Sequence, residues 1–107
     1  MKTMKLGNYE VEIDNTDVDF LKKYEKAAEY YEKNIVLAQE QDGASGMMAY
    51  VFSVFEKSFE MIFGKGVCEK MFGKKKSVDE CVTVYKTLIE AVNDFSATTD
   101  KIQGLLK

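Results

Sequence analysis

A chain of 107 residues is long enough for a single domain with its own apolar core. It contains no His, Trp or Pro, and every basic residue is a lysine, so the usual near-neutral general base, the commonest zinc ligand and the bidentate reader of phosphate or guanine are all missing. A formal net charge of −3 argues against nucleic acid as a partner.

Residues 1–13 read as a β-hairpin. Gly7-Asn8 supplies a two-residue turn that pairs Leu6 with Tyr9, Lys5 with Glu10, Met4 with Val11 and Thr3 with Glu12. Period two then places Met4, Leu6, Tyr9, Val11 and Ile13 on one face, and an isolated hairpin must dock that face on helices or on another copy.

Residues 16–41 are expected to form the first long helix, opened by Thr16-Asp17-Val18-Asp19, which resembles a capping box. Leu21, Tyr24, Ala28, Tyr31, Ile35 and Ala38 alternate steps of three and four, a seam suited to packing inside a bundle rather than to an autonomous coiled coil. After a loop at Asp42–Gly46, the second helix is expected over 47–63. Met48, Phe52, Phe55, Phe59 and Ile62 form its main stripe. Met47, Tyr50, Val51, Val54 and Met61 widen that stripe until only Ser53, Glu56, Lys57 and Glu60 remain polar. Such a helix lies at the centre of the domain or keeps part of its surface for a partner, and the core reading is preferred. Glu56 and Glu60 are read as solvent-facing.

Between the second and third long helices runs Phe-Gly-Lys-Gly-Val-Cys-Glu-Lys-Met-Phe-Gly, residues 63–73. Gly64 and Gly73 each follow an apolar helical run, as C-caps do, which makes the segment an elbow with a short helix over 66–72 and a further cap at Gly66. A phosphate loop does not fit: Gly66 and Gly73 are wrongly spaced, Lys74 is followed by Lys75 rather than Ser or Thr, and no strand leads in. Lys65, Lys70, Lys74, Lys75 and Lys76 cluster in a back half that carries 8 lysines against 6 acids, and are read as a solvated surface. Ser77-Val78-Asp79-Glu80 is a capping box, with Ser77 and Glu80 as its arms, for a third long helix over 77–96 that Ile102, Leu105 and Leu106 would prolong to 106.

Cys68 and Cys81 stand in no ligand-spaced cluster and are read as structural thiols. No catalytic, cofactor-binding or metal-binding constellation emerges. No apolar run approaches the roughly 18 residues a span requires, and the alternating start does not resemble a leader, so a soluble cytoplasmic protein is expected. The fold class expected is mainly α (α+β): an N-terminal hairpin followed by a three-helix bundle with a short helical elbow.

Taken together, the hairpin start, the acidic first helix, the elbow and the Ser-Val-Asp-Glu-Cys-Val-Thr-Val-Tyr helix resemble small proteins from tail-gene clusters of phages and prophages of Gram-positive bacteria. In those proteins a Phe-Gly-x-Gly segment and a later Phe-Gly precede the last amphipathic helix; here they correspond to Phe63, Gly64, Gly66, Phe72 and Gly73. The resemblance implies a non-enzymatic tail-assembly role, similar to chaperones that coat the tape-measure protein, in the cytoplasm of the bacterial host. Expected partners are phage tail proteins and other copies of the chain. The expected binding residues are Phe63, Lys65, Lys70, Met71 and Phe72, with burial of Phe63, Met71 and Phe72 as the alternative. The rival readings are a secreted helical-hairpin protein of a type VII-like system, whose Trp-x-Gly turn this chain lacks, and a generic helical interaction module.

Overall fold

The computed structural model describes residues 2–106. The fold is mainly α with a small β part. An antiparallel hairpin, β1 (Lys2–Leu6) and β2 (Tyr9–Ile13), is followed by the helices α1 (Val18–Ile35), α2 (Gly43–Phe63), α3 (Val67–Phe72), α4 (Val78–Asn93) and α5 (Ser96–Leu105). Met1, assigned to the hairpin from sequence, lies outside the described residues. The hairpin register is Lys2↔Ile13, Thr3↔Glu12, Met4↔Val11, Lys5↔Glu10 and Leu6↔Tyr9. Gly7 takes φ +64° while Asn8 stays at negative φ, the mark of a type II′ turn, whose twist matches that of the strands. Leu6 and Ile13 are buried, and Met4, Tyr9 and Val11 pack against the same core.

α2 is the central element, with Phe52, Val54, Phe55, Ser58, Phe59 and Ile62 buried against α1, α3 and α4. The one hydroxyl in that set, Ser58 Oγ, donates to the Val54 carbonyl at 2.9 Å, so its burial leaves no orphan donor. Tyr31 of α1, Phe55 of α2 and Tyr85 of α4 meet with ring centroids 4.9 to 5.6 Å apart, which knits the three long helices together. The expected seam on α1 is half-buried, but the fully buried position is Ala27, where a methyl side chain allows close helix approach.

Several boundaries differ from the sequence reading, each for a local reason. Thr16 is not the N-cap of α1. The Asp14 carboxylate takes its N–H at 3.0 Å and its hydroxyl at 2.6 Å, and Asp17 caps instead, accepting from Asp19 N–H at 2.9 Å. The α-helix stops at Ile35 and tightens into a 3-10 turn, Val36–Glu40. α2 begins at Gly43, because Ala44 and Ser45 continue the helix and the loop shrinks to Gln41-Asp42.

The third long helix does not reach 96. α4 ends at Asn93, and residues 96–105 form a separate helix. Asp94 Oδ1 binds Ser96 N–H at 3.2 Å and Ser96 Oγ at 2.7 Å, which turns the chain. The last carbonyls of α4 are taken up from the other end of the sequence. Buried Asn15 donates from Nδ2 to Val92 O at 3.0 Å and Asp94 O at 2.9 Å, and Lys2 Nζ donates to Ala91 O at 3.1 Å and Asp94 O at 2.9 Å. A cation at this helix terminus also suits the macrodipole. The hydrogen bond to Ser96, foremost, and the Lys2 ammonium hold the Asp94 carboxyl below the usual carboxylate range. Among the described residues, no helix is long and apolar enough to cross a membrane.

Candidate functional site

The elbow is built from three glycines at positive φ. Gly64 caps α2 with its N–H on Glu60 O at 2.8 Å, and Gly73 caps α3 with its N–H on Glu69 O at 2.8 Å. Gly66 is the N-cap of α3, and its N–H reaches Glu60 Oε2 at 3.4 Å. Glu60 is therefore half-buried at the base of the elbow rather than solvent-facing: its place in the last turn of α2 brings it beneath the next helix start. Ser77 caps α4, its side chain accepting from Glu80 N–H at 3.4 Å. The carboxylate of Glu80 turns instead toward Lys75, with Nζ at 3.6 Å from Oε2.

The five residues expected to meet a partner do not form one surface. Met71 and Phe72 are buried, at 1 % and 8 % exposure, and fasten α3 into the core. Phe72 stands 6.5 Å from both Phe52 and Phe59, ring centroid to ring centroid. This corrects their reading as outward side chains, because the hairpin turn covers α3, with Asn8 N–H on the Met71 carbonyl at 2.8 Å. Phe63 is half-buried and meets Tyr9 edge-on at 6.1 Å. Lys65 and Lys70 are exposed, and Lys70 Nζ sits 5.7 Å from the Tyr9 ring centroid, a cation–π contact on the hairpin side.

What the elbow creates instead is an open groove on the outer side of α2. Two adjoining hollows of about 320 and 360 Å³ share Phe52, Glu56 and Lys76. Met48, Ala49 and Phe52 supply the α2 wall, Cys68 and Glu69 the α3 wall, and Lys74, Lys75 and Lys76 the rim leading into α4. Met48 is 46 % exposed although its helical spacing belongs to the core stripe, because it lies on the first turns of α2. Glu56, read as solvent-facing, is half-buried in the groove wall. The lysine run is solvent-exposed as expected. Lys76 of that run lines the same hollow as Met48, so the start of α2 and the approach to α4 face one another across it.

The one thiol that lines this groove is not activated. The Cys68 thiol is pushed up to about 12, by burial first and by the Glu56 charge next, so at neutral pH it is protonated and a poor nucleophile. Burial likewise pushes Cys81 and Tyr85 up to about 12. Among the described residues, no group of three or more Cys, Asp or Glu side chains is placed to hold a metal ion.

These raised values give stability a definite pH dependence. An unfolded thiol ionises near about 8.5, so the stabilisation from keeping these groups neutral is complete below that pH and is lost as pH climbs toward 12. The urea midpoint should hold between about pH 7 and 8 and then fall steadily toward about pH 11. A midpoint that stays level over that upper range would show that the thiols ionise in the folded chain as easily as in the unfolded one.

No curated protein sequence and no solved structure matches the chain. The chain belongs to DUF6673, a family of unknown function, whose model it matches over residues 7–105, almost its whole length.

Proposed function

We propose that this chain is a non-enzymatic assembly protein of phage or prophage tails, acting in the bacterial cytoplasm, that holds apolar helical segments of the tape-measure protein or another tail protein in the elbow groove. The observation that carries the reading is the groove itself, in which a hollow walled by exposed Met48 and floored by buried Phe52 adjoins, at Lys76, a second hollow rimmed by Lys74, Lys75 and Lys76. A methionine and small-residue wall adapts to varied apolar side chains, which a holder of a long, non-uniform helix requires. The lysine rim suits acidic residues on the polar face of the same segment, a helix-in-groove contact with a charged border. The resemblance of the elbow and its flanks to phage tail-assembly proteins supports a tail protein as the partner.

Co-expression with the long tail protein of the same gene cluster tests this. Wild type should keep that protein soluble and co-purify with it. Met48→Glu, and Lys75→Glu combined with Lys76→Glu, should abolish co-purification while the far-ultraviolet circular dichroism stays unchanged, because these side chains are exposed or half-exposed at the surface. Retained co-purification by both variants would exclude the groove, and failure of the wild type to co-purify would exclude the tail-assembly role.

A further inference from the structure

The charges around the elbow groove are not paired with one another. Its elbow-side hollow is lined by Glu56, Glu69, Lys74, Lys75 and Lys76, and of these only Lys75 has an ion-pair partner among the described residues, Glu80 at 3.6 Å. Glu69, Lys74 and Lys76 are exposed and keep their hydration. Glu56 differs from them: it is half-buried, and it lines both hollows, so it stands at their junction.

The place of Glu56 on α2 decides what meets it. Met48, Phe52 and Glu56 recur at i, i+4 and i+8, which sets them in line on one face of the helix. Exposed Met48 is at one end of that line, buried Phe52 forms the floor, and the carboxylate is at the other end. Positions 48 and 56 lie about 12 Å apart along the helix axis, a little over two turns. The groove is therefore apolar toward the start of α2 and charged toward the elbow.

We propose that Glu56 selects what the groove holds: an amphipathic helical segment with a lysine or arginine two turns from the apolar side chain that it sets on Met48, and with acids on its polar face toward Lys74 and Lys76. This rests on the proposed function and gives the held segment a sequence pattern. A segment lying along α2 covers Glu56 and removes its water. A covered carboxylate that gains no donor is strongly unfavourable, so an uninterrupted apolar segment is rejected, and an acid at that place is rejected more firmly because like charges then meet in a partly dry hollow. A lysine or arginine replaces the lost water with a charge-assisted hydrogen bond. Discrimination thus comes from the unpaired carboxylate left under a wrong segment as much as from the bond made by a right one. Because the two ends of the groove differ, each segment is held in one direction.

Three synthetic helical peptides test this, each about 15 residues and ~22 Å long, with a leucine anchor, acids on the polar face, and lysine, leucine or glutamate two turns after the anchor. Fluorescence anisotropy with the wild-type chain should give the lysine peptide a dissociation constant at least about 10-fold below that of the leucine peptide and about 100-fold below that of the glutamate peptide. Glu56→Gln, which keeps the side-chain shape, should bring the lysine preference to within about 3-fold, and Glu56→Lys should make the glutamate peptide the tightest of the three. Far-ultraviolet circular dichroism should be unchanged in both variants, since Glu56 lies in the groove wall and not in the core. Equal affinities for the lysine and glutamate peptides in the wild type would overturn the selection while leaving the groove as a binding site. A lysine preference that survives Glu56→Gln would overturn the role of Glu56. No binding by any of the three peptides would overturn both this inference and the groove on which it rests.

Discussion

Gly7→Ala is expected to be among the most damaging single substitutions in this protein. Gly7 sits at φ +64°, and a Cβ there would fall on the Met71 carbonyl oxygen and within 3.1 Å of its carbonyl carbon. The obstacle is backbone, so no rotamer change relieves it. The adjacent Asn8 N–H bonds that same carbonyl at 2.8 Å, so moving the turn away sacrifices the contact that seats the hairpin on α3. Left-handed strain of about 1–2 kcal/mol and a forced displacement of about 1–3 kcal/mol together remove about 2–5 kcal/mol. That is a large part of the ~5–15 kcal/mol available to a domain. Gly66→Ala provides the control: φ is +86° but nothing lies within 4 Å of the added methyl. It should cost only about 1–2 kcal/mol. Urea midpoints of the two variants, measured side by side, should differ clearly, and equal losses would mean that the hairpin turn is not seated on α3.

Phe59→Ala is expected to cost about 3–5 kcal/mol, the range for emptying a fully buried aromatic site. Phe59 is 0 % exposed, with ring centroids at 6.0 Å from Phe55, 6.5 Å from Phe72 and 6.3 Å from Tyr85. Those neighbours come from α2 itself, α3 and α4, so the cavity would lie where the elbow meets the bundle. Phe59→Leu should recover about half of the loss by keeping most of the apolar volume. A loss below about 1 kcal/mol for Phe59→Ala would show that α3 and α4 close over the gap, and that the elbow is held chiefly by its glycine caps.

The contrast between these sites shows which parts of the architecture are legible in residue order. The hairpin register follows from Gly7-Asn8 and from the alternation of Met4, Leu6, Tyr9, Val11 and Ile13, because turn type and period two are local properties. The Ser77 cap and the core stripe of α2 are local in the same sense. The break at Asp94 is not. Its Asx turn could be suspected from Asp94-Phe95-Ser96, yet what stabilises the end of α4 is Lys2 and Asn15, whose bonds span 76 to 92 positions of sequence.

The same limit governs the candidate site. Phe63, Met71 and Phe72 stand beside glycine caps, and a short helix alone would leave one face outward. The hairpin that returns over α3 decides otherwise for Met71 and Phe72. Conversely, Met48 belongs by spacing to the core stripe and Lys74–Lys76 to an ordinary charged surface. Only the fold, which sets the start of α2 across a hollow from the approach to α4, joins them into a groove.

That groove carries the proposed function, and backbone amide NMR during titration with amphipathic helical segments of the proposed tail-protein partner tests it most directly. Saturable shifts confined to Met48–Glu56, to Cys68 and Glu69, and to Gly73–Ser77 are the predicted result. Shifts that concentrate on α5 and the start of α1 instead, or no shifts at all with segments that the intact protein keeps soluble, would contradict it.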